Sequence, residues 1–188
     1  MRIISGRAKG KKLEMPTSKK TRPLKDIVRG AIFNIIEHSN LLSSRLNGCV
    51  ILDLFSGVGS FGLEAISRGA KKVVFFEDFG PTLDFLYKNV ENLSFNKMSE
   101  IYKKNIYNVI NFKNINYKFD IVFLDPPFKD RNINIILNKL VNSKVLSDKT
   151  LIIIHRHKKM IDDFEGKLNI LREEIYGSSK IIFGLIIF

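Results

Sequence analysis

The fold class of this 188-residue chain is indicated by one stretch, Leu52-Asp53-Leu54-Phe55-Ser56-Gly57-Val58-Gly59-Ser60-Phe61-Gly62. It joins an apolar run at residues 50–55 to a helical pattern at residues 60–68, and its glycines follow the spacing G-x-G-x-x-G. A glycine-rich turn between a buried strand and a helix is typical of open parallel sheets that bind a nucleotide-like cofactor. The stretch therefore predicts a Rossmann-like α/β domain with a ligand site at the glycine loop.

Downstream of this loop, apolar strands alternate with amphipathic helices to the end of the chain. The predicted strands cover residues 72–76, 100–103, 119–124 and 151–155, and the predicted helices cover residues 81–92 and 132–141. Two β-rich stretches, 168–176 and 180–188, predict a terminal hairpin. This order is typical of a mostly parallel, doubly wound sheet, to which the hairpin adds an antiparallel strand.

Upstream of the loop, the pattern differs. Residues 1–20 alternate short β-like stretches with glycine and proline, which predicts a small ribbon or arm. Apolar residues over 24–36 follow the spacing of an amphipathic helix, and Arg29 lies off the apolar stripe, so we expect it to face outward. The sequence thus predicts an arm and helix over residues 1–40, packed on a main domain over residues 41–188.

Positive charge is concentrated in the N-terminal segment. Of the formal net charge of +12, residues 1–29 carry ten basic and two acidic side chains, or +8. Such a field suits a polyanion, because each phosphate contact releases condensed counterions. The alternative is a solvated surface that reflects the Lys/Asn/Ile-rich composition of the whole chain. The predicted nucleic-acid contacts are Lys9, Lys11, Lys12, Arg22 and Arg29.

The composition argues against several other classes of protein. A single cysteine, Cys49, leaves no internal disulfide framework and no cysteine-based zinc site. The chain has neither an apolar run of about 18 or more residues nor an apolar secretory segment, so we expect a cytosolic protein. Separately, we expect a monomer. His155 and His157 lie on one extended segment, but no third metal ligand is evident. We predict no metal and a surface or RNA-facing role for this pair.

Two carboxylates near the glycine loop distinguish between cofactors. Glu77 lies 20 residues beyond Gly57, where a carboxylate can accept both hydroxyl groups of a ribose. Asp53 would repel a pyrophosphate but suits the ammonium and sulfonium groups of S-adenosylmethionine. Gly57 and Gly59 let the backbone approach the cofactor closely, and Phe55 completes the predicted cofactor-binding set. The loop favours S-adenosylmethionine over a dinucleotide.

The tetrapeptide Asp125-Pro126-Pro127-Phe128 follows the predicted strand at 119–124, where an open parallel sheet binds its ligands. An exocyclic base amine is a poor nucleophile, because its lone pair is delocalised into the ring. Hydrogen bonds from the amine to the Asp125 carboxylate and the Pro126 carbonyl would localise that lone pair, while Phe128 stacks on the base. These four residues are the predicted catalytic site of an amino-methyltransferase.

Together these features resemble the RsmD family of 16S ribosomal RNA guanine-N2 methyltransferases over nearly the whole chain. The matching residues are 1–6, 9–10, 13, 21–23, 28–29, 33–34, 52–65, 67–70, 77, 89, 125–128 and 176–177. The segment Thr21-Arg22-Pro23 is specific to this family, whereas the glycine loop and the Asp-Pro-Pro-Phe motif are shared with adenine and cytosine methyltransferases. The resemblance implies a class I methyltransferase fold, S-adenosylmethionine as cofactor, and 16S ribosomal RNA in an assembling small subunit as partner.

The chain departs from the family after its third strand. Many relatives have an aspartate there that binds the adenine amino group, and Asn105 is the nearest match, with a carbonyl that can accept the same hydrogen bond. Other functions stay open. An adenine-N6 methyltransferase would share the chemistry, whereas a nicotinamide-dependent oxidoreductase or a non-catalytic RNA-binding module would leave Asp125–Phe128 unexplained.

Overall fold

The computed structural model describes residues 1–17, 24–41, 46–109, 112 and 115–188. The strands in this part are β1 (Val50–Leu54), β2 (Lys72–Glu77), β3 (Ser99–Lys103), β4 (Ile121–Leu124), β5 (Leu151–His157), β6 (Leu168–Tyr176) and β7 (Ser179–Ile186). The α-helices are α1 (Asp26–His38), α2 (Ser60–Ser67), α3 (Gly80–Asn92) and α4 (Ile133–Val141), with 3-10 turns at Asn96–Met98 and Ile106–Asn108. Among the described residues, no helix is long and apolar enough to span a membrane.

The strands form a seven-stranded sheet in the order β3-β2-β1-β4-β5-β7-β6. Neighbouring strands are parallel from β3 to β5, whereas β7 runs antiparallel to both β5 and β6. The predicted fold class, a doubly wound sheet with a C-terminal hairpin, is confirmed. The first three strands are added in the order β1, β2, β3 towards one edge of the sheet. The chain then crosses over, and β4 pairs with the other side of β1. The strand order therefore reverses between β1 and β4, where such sheets bind their ligands.

Helices cover both faces of the sheet. On one face, Phe61 of α2 stacks on Phe123 of β4, with ring centroids 3.9 Å apart, and Phe33 of α1 stacks on Phe61 at 5.0 Å. On the other face, Ile136 and Leu140 of α4 are fully buried against the strands. These side chains occupy the apolar stripes that predicted each helix.

The N-terminal arm, here residues 1–17, is fastened to α2 and α3. A single antiparallel bridge joins Arg2 to Lys12, and Ile3 and Leu13 are buried in the main core. Glu64 of α2 is fully buried and accepts hydrogen bonds from the backbone N–H groups of Ile4 (2.7 Å) and Ser5 (3.0 Å). The arm is therefore held by its backbone and by buried apolar side chains, while its lysine side chains are exposed to solvent.

The prediction that Arg29 faces outward is wrong. Its side chain is 0% exposed and pairs with Asp26 at 3.0 Å and with Glu64 at 3.7 Å, while also donating to the Arg2 carbonyl. The arm covers this face of α1, so a position off the apolar stripe still lies inside the protein. Burial lowers the pKa of Arg29, and the Glu64 and Asp26 carboxylates oppose that change. Arg29 contributes to the structure and cannot reach RNA.

Candidate active site

A cavity of about 540 Å³ opens at the carboxyl ends of β1, β2, β4 and β5. Its volume lies within the range of small-molecule sites. The cavity is lined by residues of the glycine loop and of the Asp-Pro-Pro-Phe segment. Met15 and Leu24, which lie on either side of residues 18–23, also contribute to the lining. The lining residues are Met15, Leu24, Phe55, Ser56, Gly57, Val58, Ser60, Glu77, Asp78, Phe79, Thr82, Asp125, Pro126, Pro127, Phe128 and His155.

Two predicted glycines serve different purposes in the loop. Gly57 lines the cavity with φ at +57°, and nothing lies within 4 Å of where a Cβ would be, so its backbone is open to a ligand. Gly59 is buried with φ at +84°, and a Cβ there would stand 2.4 Å from the Leu86 side chain. Gly57 therefore leaves room for a ligand, and its contact with a cofactor stays a prediction, whereas Gly59 allows α3 to pack against the loop.

Asp53 lies beneath the loop and is not among the residues that line the cavity. Its carboxylate is 1% exposed and accepts a hydrogen bond from the Gly62 N–H at 3.0 Å, within the first turn of α2. Burial raises the pKa of Asp53 well above its usual value, and the Asp125 and Glu77 carboxylates add to this. A contact between Asp53 and a cationic cofactor stays a prediction.

Glu77 stands at the end of β2 and lines the cavity. Its carboxylate accepts hydrogen bonds from the backbone N–H groups of Gly57 (2.6 Å), Phe79 (2.8 Å) and Asp78 (3.0 Å). Burial raises the pKa of Glu77, and these N–H groups oppose the increase. A carboxylate has about four acceptor positions. Glu77 therefore stabilises the glycine loop, and its carboxylate can accept few further hydrogen bonds from the hydroxyl groups of a ligand.

Asn105 lies beside the main cavity, in a smaller recess that it shares with Phe55 and Asp78. Its side-chain carbonyl accepts from the Tyr107 N–H at 2.9 Å, and its amide donates to Asp78 at 2.6 Å. These contacts cap the 3-10 turn that follows β3. The adenine contact predicted for Asn105 stays a prediction.

The Asp-Pro-Pro-Phe segment has a partner that the sequence pattern did not reveal. Asp125 Oδ1 lies 2.8 Å from Nδ1 of His155, and Nε2 of His155 lies 2.8 Å from the Ser179 hydroxyl. The Phe128 ring meets the rings of His155 and His157 edge-on, with centroids 5.3 Å apart in each pair. Of the two roles expected for His155, the surface role is wrong, because the residue is 5% exposed and borders the cavity, whereas the RNA-facing role stays a prediction. Its proximity to Asp125 depends on strand pairing, which spacing in the sequence does not show.

The predicted basic contacts divide into three groups. Lys9, Lys11 and Lys12 are exposed on the arm and, within the described part of the chain, none pairs with a carboxylate. Arg22 lies outside the described residues, and Arg29 is buried. Met15 lines the cavity, so the end of the arm reaches the site.

Comparisons with known proteins agree with this architecture. The family described as conserved hypothetical protein 95 matches residues 1–184. Ribosomal RNA small subunit methyltransferase D of Haemophilus influenzae is 32% identical over 159 residues, which cover 84% of this chain and 79% of that protein. The solved structure of Escherichia coli yhhF is 26% identical with a TM-score of 0.79, covering 99% of this chain and 97% of that one.

A more distant structural match holds a ligand. An RNA methyltransferase from Salinibacter ruber, solved in complex with S-adenosyl-L-homocysteine, has a TM-score of 0.65 at 16% identity. The match covers 88% of this chain and 94% of that one. At this identity the comparison shows a shared fold.

Proposed function

The chain belongs to the RsmD family, that of conserved hypothetical protein 95 and ribosomal RNA small subunit methyltransferase D, and we propose that it methylates the exocyclic N2 amine of a guanine. It is a ribosomal RNA methyltransferase that uses S-adenosylmethionine. The observation that carries the proposal is the shared cavity, which brings the Asp125–Phe128 segment beside the glycine loop. A methyl donor on the loop and a base at Asp125 would then meet in one site.

The lining of the cavity fits S-adenosylmethionine. Three carboxylates, Glu77, Asp78 and Asp125, border the site and favour a cationic ligand over a pyrophosphate. Glu77 and Phe79 both line the cavity. In this proposal Glu77 accepts the ribose hydroxyl groups, and Phe79, with 42% of its surface exposed, contacts the adenine. When bound, the cofactor supplies an electrophilic methyl group on its sulfonium.

Asp125 and Pro126 orient the base amine for methyl transfer. One amine hydrogen is donated to the Asp125 carboxylate and the other to the Pro126 carbonyl, so the nitrogen lone pair is directed at the methyl carbon. Transfer of the methyl group to this nitrogen would leave the donor sulfur as a neutral thioether. The methylated nitrogen would then release a proton to the Asp125 carboxylate or to water, and because it becomes acidic only at that stage, Asp125 need not be a strong base. Phe128 stacks on the base. The catalysis is mainly positioning and hydrogen-bond polarisation.

The arm is the proposed RNA contact. Lys9, Lys11 and Lys12 project from a segment whose backbone is fixed to α2 and which continues to Met15 at the cavity. We assign residues 1–40 to this extension and residues 41–188 to the methyltransferase domain. The proposed substrate is 16S ribosomal RNA within an assembling small subunit.

The test is methyl transfer from a labelled donor to free 16S RNA, small subunits lacking the modification, and duplex DNA, followed by nucleoside analysis. We expect N2-methylguanosine from the RNA or the subunits and none from DNA. The matched inactive protein is Asp125→Ala. Labelled N6-methyladenosine as the product would replace the guanine assignment with adenine, and the absence of transfer to any of these substrates would refute the proposal.

A further inference from the structure

We propose that His155 is a positioning residue that orients the Asp125 carboxylate and the Phe128 ring for methyl transfer. The inference rests on the proposed function of Asp125. It concerns a side chain that joins three strands of the sheet, since Asp125 follows β4, His155 lies in β5 and Ser179 begins β7.

The strand register brings these residues together. Leu124 pairs with Ile154 in the parallel β4–β5 ladder, so the next residue of each strand, Asp125 and His155, lie side by side. In the antiparallel β5–β7 ladder, Ser179 pairs with His157, two residues from His155 and on the same face. The sheet thereby holds the imidazole between a carboxylate and a hydroxyl group.

The donor and acceptor roles at Asp125 are determined by its chemistry. An ionised carboxylate can only accept, so the Nδ1–H of His155 donates to Asp125 Oδ1, whether the imidazole is neutral or charged. At Nε2 the Ser179 hydroxyl can serve a neutral ring as donor or a charged ring as acceptor. Among the described residues, no other side chain or backbone N–H bonds to the Asp125 carboxylate. Oδ2 is therefore left for the substrate amine.

The two ends of this chain of hydrogen bonds differ in exposure. The Asp125 side chain is 20% exposed at the cavity, whereas His155 is 6% exposed at the side chain and Ser179 is buried. The imidazole also packs edge-on against Phe128, the residue proposed to stack on the base. A single buried ring thus restrains both the carboxylate that polarises the amine and the aromatic ring that holds the base. An error of about 1 Å in such an arrangement can cost about 100-fold in rate.

The test compares three substitutions of His155 for kcat, KM and affinity for S-adenosylhomocysteine. The amide nitrogen of Asn lies near the position of Nδ1, whereas that of Gln lies near Nε2. We expect His155→Ala to lower kcat by about 10- to 100-fold, His155→Asn to recover most of the loss, and His155→Gln to recover little. Affinity for S-adenosylhomocysteine should stay within about twofold, because the glycine loop and Glu77 are untouched. His38→Asn, at an exposed position in α1, is the matched control.

Several outcomes would overturn the proposal. Equal kcat losses in the Ala, Asn and Gln variants would mean that His155 contributes only packing. A wild-type kcat in His155→Ala would mean that His155 has no part in methyl transfer. Ser179→Ala keeps the contact between His155 and Asp125, so we expect it to lower kcat only a few-fold. If His155→Ala does not fold, Ser179→Ala and His155→Asn together test the positioning role of His155. A Ser179→Ala variant that loses as much as His155→Ala would also contradict the positioning role.

A double-mutant cycle separates this inference from the proposed function. In the Asp125→Ala background, His155→Ala should cause a smaller loss than in the wild-type background, because the part of its effect that passes through Asp125 is gone and only its contact with Phe128 remains. If the kcat losses of the two single variants multiplied in the double variant, His155 would act independently of Asp125, and the inference would be refuted. Full activity of Asp125→Ala alone would instead refute the amine-polarisation function.

Discussion

The two sides of the cavity are built in different ways. On the donor side, formed by the glycine loop and Glu77, the functional carboxylate is held by three backbone N–H groups from neighbouring loops. On the target side, formed by Asp125–Phe128 and His155, the carboxylate is held by another side chain, which a third strand supports. Backbone contacts survive most substitutions, whereas a side-chain contact disappears with a single replacement. We therefore expect the target side to be the more sensitive to substitution at its supporting residues.

The largest expected effect is on the target side. Asp125→Ala should fold and bind S-adenosylhomocysteine normally but lose about 100-fold or more in kcat, as expected when one preorganised polar partner is removed. Single-turnover methyl transfer at saturating donor measures this loss. Asp148→Ala, an exposed aspartate before β5, is the control. Turnover near the wild-type level in Asp125→Ala would contradict the proposed mechanism.

A smaller effect of another kind is expected on the donor side. Glu77→Ala should weaken binding of S-adenosylhomocysteine by about 1–3 kcal/mol, because charge-assisted hydrogen bonds are removed and the Gly57 N–H no longer has its acceptor. Titration calorimetry gives the affinity, with Glu91→Ala on the exposed side of α3 as the control. If Glu77→Ala lowered kcat at saturating donor without changing affinity, the division between the two sides would not hold.

The arm should affect the target side alone. Replacing Lys9, Lys11 and Lys12 with Ala should weaken RNA binding and reduce its log–log salt slope by about 0.7–0.9 for each phosphate that the variant no longer neutralises. RNA affinities at several salt concentrations test this, with a triple replacement of the exposed lysines Lys118, Lys144 and Lys149 as the control. Affinity for S-adenosylhomocysteine should be unchanged in both variants. An unaltered RNA slope would make the arm an ordinary solvated surface.

The smallest effect concerns Asp53, beneath the donor side. Burial raises its pKa in the folded protein above the usual value of 3.8, so the folded state binds this proton more tightly than the unfolded chain does. The resulting stabilisation is fully present below about pH 3.8 and is lost as pH rises through the folded pKa. Asp53→Asn removes this titration and keeps an acceptor for the Gly62 N–H.

Denaturant unfolding from pH 4 to 8 measures the effect. The free energy of unfolding of Asp53→Asn, relative to wild type, should rise with pH. A difference that stays constant with pH would mean that the folded and unfolded pKa values of Asp53 are equal.

How much could be predicted from the sequence depended on the distance between partners along the chain. Every predicted strand and helix of the main domain is present, with ends displaced by two residues or fewer, because hydrophobic periodicity is a local property. The glycine loop and Asp125–Phe128 meet at one cavity, as expected of motifs at the carboxyl ends of adjacent parallel strands. Arg29 was misplaced because the periodicity of a helix does not show what covers its other face.

The sequence by itself determined the fold class, the position of the glycine loop and the tetrapeptide that meets it, since each depends on neighbouring residues and backbone preferences. Only the tertiary structure decided the partners of the buried charges. Glu64 accepts hydrogen bonds from the backbone N–H groups of the arm, which lies some 60 residues away in the sequence. His155 contacts both Asp125, 30 residues before it, and Ser179, 24 residues after it. These contacts follow from strand register and from the route of the arm, so their physical cause is the packing of distant segments.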